Sequence, residues 1–565
     1  MYFVDTIDVS GLGNRGYLAG GAHSAVVVDP PRDIDRVITA AARRGVRITH
    51  VVETHIHNDY VTGGLELARL TGAAYLVPAA ARVAYERVPV ADGDRTRIED
   101  NLVLRALATP GHTPHHTSYV LEEAGHAVAV FTGGSLLIGT VGRPDLVEPG
   151  LTGRLARAQY ESARRLAAEL PDETAVLPTH GFGSFCSATR ADGGAETTIG
   201  RERQVNAALV KDVETFVAEL LAGLDDVPAY YAHMGPANTQ GPASVDLTPP
   251  RPADAEEIAA RLAAGEWVVD LRHRVAFAEG HVSGAVNFEA EGQLATYLAW
   301  LLPWGKPVTL LAETPAQLAD AQRELVRVGI DRPAAVATGS VADWVRPGER
   351  PRSFPRGTFA DLAARKDVVT LDVRRDSERQ ADHIKGSVHI PLHQLRDRLS
   401  EIPDGTVWVH CAGGMRAAIA ASLLDAAGRD VVAVDDSFDA ARTAGLPMAR
   451  VTPAEAQERA GSGAVLVDVR EALEWAEGHA PGAVLAPLSA LTAGASLPDS
   501  AQARPVVAIC RSGKRSREAA ALLSARGVEV VDVIGGMGAW TEAGLPVVAE
   551  PESRVAAESG APGAE

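Results

Sequence analysis

The sequence predicts an α/β chain built in series: a strand-rich N-terminal region followed by three doubly wound parallel sheets. Three observations carry this. One pattern, an apolar strand ending in Asp-x-Arg, then a helix-like stretch, then His-x-x-Gly, occurs three times after residue 250. Each copy is followed by a second apolar strand and a helical stretch, the order that lays parallel strands under helices on both faces. The first 235 residues lack this pattern and instead carry strand-like runs with histidines at their ends. A chain of 565 residues is also too long for one core, and at roughly 150 residues per domain it implies about four domains.

The repeat is read directly from the residues. Its copies are WVVDLRHRVAFAEGHVSGAVNF, with Asp270, Arg272, His281 and Gly284; VVTLDVRRDSERQADHIKGSVHI, with Asp372, Arg374, His383 and Gly386; and AVLVDVREALEWAEGHAPGAV, with Asp468, Arg470, His479 and Gly482. The second strands are PVTLLAE, TVWVHCAGG and PVVAICRSG, each running into a helical pattern such as SREAAALLSARG. In sheets of this kind, function collects where strand ends meet helix starts. Upstream, SAVVVDP, ITHVVETH, AAYLVP, NLVLRALATPGH, HAVAVFTGG and TAVLPTHG read as strands. The Pro- and Gly-rich stretch MGPANTQGPASVDLTPPRPAD reads as a linker near 234–254, with shorter linkers near 349–356 and 445–453. Domain limits of 1–235, 252–349, 354–448 and 453–550 follow, with a small, polar tail, 551–565, expected to be disordered.

Composition removes several function classes. With 73 acidic against 54 basic residues the chain carries a net charge of −19, which repels nucleic acid and anionic membrane surfaces. No apolar run approaches the roughly 18 residues that span a bilayer. The first twenty residues lack a basic start followed by an apolar stretch, so no signal peptide is expected. Three cysteines cannot build a disulfide framework, so a reducing, cytoplasmic setting is expected and a cysteine in a special context is a candidate for chemistry.

Two cysteines have that context. Cys510 opens Cys510-Arg511-Ser512-Gly513-Lys514-Arg515 between the strand VVAI and a helix, and Cys411 opens Cys411-Ala412-Gly413-Gly414-Met415-Arg416 at the same place one repeat earlier. A short loop at a helix start turns several backbone N–H groups toward one point, and glycines permit the angles this needs. A sulfur anion there is favoured by the N–H groups, the helix dipole and nearby cations, and the thiolate is the reactive form of cysteine. Cys186, in GSFCSATR, lacks a basic loop and is expected to be inert.

These loops, together with Asp-Val-Arg, Gly-His-x-x-Gly-Ala and the closing Gly535-Gly536-Met537-x-x-Trp540, resemble the rhodaneses over roughly residues 252–550. The resemblance implies persulfides on Cys510 and Cys411 as intermediates, with Arg511, Ser512, Gly513, Lys514 and Arg515, and Gly413, Gly414 and Arg416, around the sulfur. Four residues separate Cys from Arg in both loops, where cysteine phosphatases have five, which favours sulfur over phosphate as cargo. In the first repeat the cysteine position falls near Ala312, so that copy resembles an inactive rhodanese whose role is packing. The second repeat ends in DDSFDAA, without the Gly-Gly pattern.

The N-terminal histidines sit in Thr54-His55-Ile56-His57-Asn58-Asp59-Tyr60, Thr109-Pro110-Gly111-His112-Thr113 and Pro178-Thr179-His180-Gly181, each at the end of a strand-like run. Strand ends share a sheet edge, so these histidines can converge on one metal ion, and neutral imidazoles suit iron(II) or zinc. The region resembles the metallo-β-lactamase superfamily, nearest its glyoxalase II and persulfide dioxygenase branch, on TPGHT, FTGG and Gly142-Arg143-Pro144-Asp145. The resemblance implies an αββα sandwich. It implies iron(II) on His55 and His112, with His57, Asp59 and His180 nearby, and Arg143 holding an anionic thiol substrate. Two positions break the family pattern: Tyr60 stands where the family has His, and Gly134 where it has the metal-bridging Asp.

The combined expectation is a metallo-β-lactamase-like sandwich followed by three rhodanese-like parallel-sheet domains. The enzyme it implies is a sulfurtransferase of the rhodanese type, coupled to a domain that acts on persulfides through one metal ion. Iron(II) is the expected metal, with zinc as the other choice. Two alternatives stay open: a glyoxalase II-like thioester hydrolase, and a non-catalytic sulfur carrier with a degenerate metal site. The expected partners are small sulfur donors and thiol acceptors, such as thiosulfate and glutathione-type persulfides, with no nucleic acid and no membrane; a homo-oligomer is compatible with the sequence.

Overall fold

A computed structural model describes residues 2–187 and 196–549. The expected tail, 551–565, lies outside the described residues. The chain divides into two compact units, Met1–Pro355 with Ala418–Val431, and Arg356–Ala417 with Val432–Glu565.

The first unit begins with two six-stranded sheets. One runs in the order Phe3–Val9, Asn14–Gly20, Ser24–Val28, Arg47–Val52, Ala74–Pro78, Val88–Val90; the other in the order Thr197–Thr198, Ala175–Pro178, His126–Gly133, Thr117–Glu123, Leu102–Ala108, Arg95–Glu99. Alternation of side chains along each strand gives every sheet two apolar faces. The inner faces meet through Tyr17, Val26, Val28, Leu104, Tyr119, Leu121 and Phe131. The outer face of the first sheet is covered by the helices Asp35–Arg44 and Gly64–Thr71, whose Val37, Ala41, Leu65, Leu67 and Ala68 join its core. The long helix Thr152–Glu169 covers the other sheet with Ala156, Ala163 and Leu166. This is the αββα sandwich.

The expected linker at 234–254 begins differently. Tyr231–Gln240 is a helix despite Pro236 inside it. Tertiary anchoring outweighs the local preference: Asn238 is buried and its side-chain amide donates to the carbonyls of His57 and Tyr60, both at 2.8 Å, while its oxygen accepts from Thr62 N at 3.0 Å. The helix thereby braces the loop that carries the histidines.

The first repeat completes this unit with a four-stranded parallel sheet, ordered Val286–Asn287, Trp267–Asp270, Val308–Ala312, Ala335–Thr338. It packs against the sandwich through charge and aromatic contacts. Arg327 pairs with the buried Asp33 (2.7 Å), Arg32 donates to Val326 O (2.8 Å), and Phe185 meets Trp300 edge-on at 5.3 Å.

The second unit holds two five-stranded sheets. Their orders are Arg356–Gly357, Val431–Val434, Val407–His410, Val369–Asp372, Val388–His389 and Arg450–Val451, Val530–Val533, Val506–Ile509, Val465–Asp468, Val484–Leu485. In all three repeats the Asp-x-Arg pair has one structural job. Asp270, Asp372 and Asp468 end the central strand and are fully buried. Each carboxylate accepts the backbone N–H and the guanidinium of the arginine two residues on, at 2.6–3.1 Å. The arginine then donates to the carbonyl of Gly280, Asp382 or Gly478, clasping the next helix to the strand end. A buried charge persists only with such pairing.

No helix among the described residues is long and apolar enough to cross a membrane.

Candidate functional sites

The histidines converge as their strand-end positions predict. His55, His112 and His180 place one ring nitrogen each within 4.8 Å of one another, and two further groups, Asp29 with His55 and His57, and His57 with Asp59 and His180, satisfy the same limit. All of these side chains are buried. Strand ends at one edge of the sandwich supply them: Asp29 after Ser24–Val28, 53–60 after Arg47–Val52, 109–116 after Leu102–Ala108, and 179–180 after Ala175–Pro178.

The outer hydrogen bonds fix the tautomers. His112 Nδ1 lies 2.8 Å from the carbonyl of Arg143, which can only accept, so Nδ1 carries the proton and Nε2 a lone pair. His180 Nδ1 lies 3.0 Å from Asn14 Oδ1 and 3.3 Å from Asp59 Oδ2, while the Asn14 amide donates to Asp59 at 2.7 Å. His55 Nδ1 lies 2.8 Å from Thr54 Oγ1, whose own hydrogen goes to Asp29 Oδ2 at 2.7 Å. Nε2 is therefore the inward-facing nitrogen on all three rings, and those of His55 and His180 lie 3.3 Å apart, within hydrogen-bond reach of each other. Burial and the surrounding imidazoles hold His55 well below the usual histidine range and His112 down at about 3.

His57 is held otherwise. Its Nε2 faces Glu53 Oε2 (3.1 Å), Asp29 Oδ1 (3.3 Å) and the Tyr60 hydroxyl (3.1 Å), and its Nδ1 is buried without a hydrogen-bond partner. Burial alone would lower its pKa, but Asp29 and Glu53 more than offset this and push it up to about 10. Asp59 also keeps one buried oxygen, Oδ1, unpartnered. Burial would raise its pKa, yet His180 and His57 hold it below the usual carboxylate range.

Arg143 departs from the expectation that it holds a substrate anion. It is buried, its guanidinium is taken up by Asp145 at 2.7 and 2.8 Å, and it donates to the Asp225 carbonyl at 2.6 Å. Cys186 is buried beside Tyr231, and burial pushes its thiol well up, away from reactivity. Sequence reasoning missed Asn14, Asp29, Thr54 and His116. Asp29 ends the strand-like run SAVVVD, the same position that marks the repeat aspartates, and this was the available signal. His116 accepts from Gly134 N at 3.0 Å and stacks on His55.

The donor set does not reproduce two histidines and a carboxylate. A Cβ on Gly134 would stand 2.2 Å from His112 Cδ2 and 2.8 Å from its Nε2, so no aspartate fits there beside this ring. The set does suit a divalent ion that accepts imidazole nitrogen.

In the second unit both cysteines lie where strand meets helix. Cys510 follows Val506–Ile509 and precedes the helix Lys514–Ala525; Cys411 follows Val407–His410 and precedes Met415–Ala426. Each Sγ accepts a backbone N–H three residues on, from Gly513 at 3.2 Å and from Gly414 at 3.1 Å. The turn needs φ of +85° at Gly513 and +93° at Gly414, which explains glycine at these two places. Ser516 Oγ lies 3.4 Å from the Cys510 sulfur and itself donates to Asp532, so the thiol is the donor between them. Both sulfurs are nearly covered. Arg511, Ser512 and Lys514 are exposed around the third-repeat loop, and Ala412 and Gly413 around the second.

The last arginine of each loop is not a free charge. Arg416 makes a two-point ion pair with Glu378 (2.6 and 2.7 Å), and Arg515 with Glu474 (both 2.6 Å). Each glutamate comes from the helix after its repeat's first strand. The Gly-Gly motif also has a visible purpose. A Cβ on Gly536 would fall 2.1 Å from the Cys510 carbonyl, which accepts from Met537 N at 2.7 Å. In the second repeat Phe438 N donates to the Ala412 carbonyl at 3.0 Å, so DDSFDAA braces its loop without the glycines.

Comparison with known proteins agrees with both halves. The description "Metallo-beta-lactamase superfamily" matches residues 12–180, and "Rhodanese-like domain" matches 254–347, 356–444 and 452–543. The chain is 31% identical over 208 residues to human persulfide dioxygenase ETHE1, covering 36% of this chain and 73% of that protein. It is 33% identical over 224 residues to hydroxyacylglutathione hydrolase of Cereibacter sphaeroides, covering 38% of this chain and 78% of that one. A metallo-beta-lactamase structure from Staphylococcus aureus aligns with TM-score 0.55 and 26% identity over 60% of this chain and 99% of its own. The chain belongs to the metallo-β-lactamase superfamily, in the company of the persulfide dioxygenase and hydroxyacylglutathione hydrolase relatives, and carries three tandem rhodanese-like domains behind that fold.

Proposed function

We propose that the chain is a sulfurtransferase that carries sulfane sulfur as a persulfide on Cys510 and on Cys411. One observation carries the reading: each sulfur sits at a helix start, within hydrogen-bond reach of a loop N–H, in a turn that a left-handed glycine makes possible. Such a cup stabilises a sulfur anion before and after loading. The thiolate attacks the outer sulfur of thiosulfate; the S–S bond breaks, sulfite leaves with its electron pair, and the enzyme keeps a persulfide anion. A nucleophile, either cyanide or an acceptor thiolate, then takes the terminal sulfur, giving thiocyanate or a new persulfide and restoring the thiolate. Arg511 and Lys514 attract the anionic donor to Cys510. Arg515 and Arg416, neutralised by their glutamates, hold loop geometry.

The domain limits that go with this reading are 1–235, 252–349, 354–448 and 453–550, the second of these without a nucleophile. The likeness to persulfide dioxygenase supports an N-terminal domain that acts on persulfides, glutathione-type or similar. Iron(II) is the metal that such chemistry uses, but the missing carboxylate at Gly134 leaves the usual ligand set incomplete, and no step is assigned to it.

Thiocyanate formation from thiosulfate and cyanide tests the transfer. Loss in Cys510→Ala, and complete loss when Cys411→Ala is added, is the expected result. Full activity in the double variant would remove the mechanism.

A further inference from the structure

The Cys510 sulfur has a neighbour that the Cys411 sulfur lacks. Ser516 Oγ lies 3.4 Å from it and donates its own hydrogen to Asp532 Oδ2 at 3.3 Å, and all three side chains are buried. A hydroxyl whose hydrogen is committed elsewhere can only accept, which suits a thiol and opposes a thiolate. The anion gains a second donor, besides the Gly513 N–H, only if the Ser516 hydrogen turns from Asp532 to the sulfur. That turn takes a partner from a buried carboxylate, but Arg450 already holds it. Nε and Nη2 of Arg450 reach the Asp532 oxygens at 2.8–3.1 Å, from a strand that pairs Arg450 directly with Asp532. The same guanidinium donates to the carbonyl of Gly513 at 3.4 Å and to that of Ala381 at 2.7 Å, at the end of the second-repeat helix Asp376–Ala381. Asp382 accepts the Arg450 N–H at 3.2 Å. The second repeat thus seats the arginine that serves the third. The Cys411 loop differs. At the matching places stand Ala417, six residues after Cys411, and Ala433, which pairs with Arg356 as Asp532 pairs with Arg450; Arg356 turns to Asp435 instead. The remaining charges about the Cys510 sulfur are Arg515, tied to Glu474, and the exposed Arg511 and Lys514, while Asp468 at the end of the adjacent strand is closed by Arg470.

We propose that Ser516 is a positioning residue for Cys510 whose hydroxyl turns from Asp532 to the sulfur when the thiol becomes an anion, and that Arg450, seated by the second repeat, makes the turn possible by keeping Asp532 satisfied. The proton that leaves the thiol goes to solvent, and no covalent bond changes at Ser516. The species stabilised is the thiolate that attacks the sulfur donor. This role rests on the reading of Cys510 as a sulfur carrier, and it sets the two cysteines apart: Cys411, with alanines at both places, forms its anion without this device.

The test uses the full chain in a Cys411→Ala background, so that Cys510 alone reports transfer. Iodoacetamide labelling of the Cys510 peptide is followed across pH by mass spectrometry, beside thiocyanate formation. In Ser516→Ala the labelling rate at neutral pH should fall about fivefold, with its midpoint moved up by about 0.7 pH unit, and kcat/KM for thiosulfate should fall by about as much. Arg450→Met leaves Asp532 to claim the hydroxyl and should lose about tenfold or more in both; Asp532→Asn added to it should bring both back to within about threefold of the background chain. Circular dichroism checks that each variant is folded, and Ser516→Ala, the smallest change, decides alone if Arg450→Met is not. Unaltered labelling and pH midpoint in a folded Ser516→Ala chain, or no recovery on adding Asp532→Asn, would overturn the role of Ser516 and Arg450 while leaving transfer at Cys510 standing. A background chain that labels normally but forms no thiocyanate would instead overturn the transfer reading, and this role with it.

Discussion

The ion pair behind the Cys411 loop makes a quantitative prediction. Glu378 lies under the loop with 14% of its side chain exposed, and Arg416 with 11%. Burial would raise the Glu378 pKa, but Arg416 outweighs it and holds the carboxyl at about 2 against an ordinary 4.5. At about 1.4 kcal/mol per pH unit, the shift from 4.5 to about 2 corresponds to about 3.5 kcal/mol of stabilisation at most. A carboxyl held low contributes fully above about 4.5, progressively less as pH falls, and nothing once pH has passed below about 2. Glu378→Gln at pH 7 therefore removes the whole contribution. The local readout is hydrogen exchange of the amides from Gly414 to Ala417, where protection should fall by up to roughly 300-fold. Glu474, the matching residue under Cys510, also sits at about 2, yet it is 28% exposed and its partner Arg515 32%. Solvent screening reduces that pair to about 1 kcal/mol or less, so Glu474→Gln should cost protection only about fivefold. Equal losses in the two variants would refute burial as the deciding factor, and no loss in Glu378→Gln would refute the pair's role altogether.

Two further outcomes follow from single contacts. Gly513→Ala places a Cβ 3.0 Å from Gly535 N at a φ of +85°, a strain of about 1–3 kcal/mol, so thiocyanate formation from Cys510 should drop at least tenfold in a Cys411→Ala background; unchanged rates would separate loop shape from transfer. Asn14→Ala removes the acceptor of His180 Nδ1 and should weaken metal binding roughly 10- to 100-fold in competition with a chromophoric chelator, whereas unaltered binding would show that His180 needs no orientation.

What could be read from the sequence was what is local in the chain. The Asp-x-Arg clasp spans two residues, and the cysteine loops lie between one strand and one helix, so their pattern is written contiguously. The partners that change the meaning of those residues are distant. Glu378 meets Arg416 across 38 positions and Glu474 meets Arg515 across 41, and nothing in either loop marks its arginine as neutralised. The histidine cluster was legible as a set because each member ends a strand. The division within it was not, since Asn14 reaches His180 across 166 positions and Glu53 closes on His57 from the same turn. Tyr231–Gln240 was hidden for a different reason: glycine and proline argue locally for a linker, and Asn238, satisfied only in the fold, argues for the helix.

The first repeat shows why a cysteine alone would not make a site. Its strand Val308–Ala312 leads into a helix at Pro315, so only Glu313 and Thr314 lie between, where three residues follow Cys510 before Lys514. Neither is glycine, and Thr314 caps the helix conventionally by accepting Gln317 N at 3.2 Å, while Glu313 N donates to Gln317 Oε1 at 3.0 Å. The amides that would surround a sulfur are thus already paired with side chains, and a carboxylate stands where Arg511 supplies positive charge. The opposite end of the helix has become a contact, with Arg327 joined to Asp33 and Val61 N donating to the Arg327 carbonyl at 2.7 Å. Ala312→Cys, built into the Cys411→Ala, Cys510→Ala chain, should therefore form no thiocyanate above the parent double variant, and mass spectrometry after thiosulfate should find no added sulfur at 312. Transfer restored by that one substitution would mean that the cupped turn and its glycine are dispensable, and the mechanism assigned to Cys510 and Cys411 would fail with them.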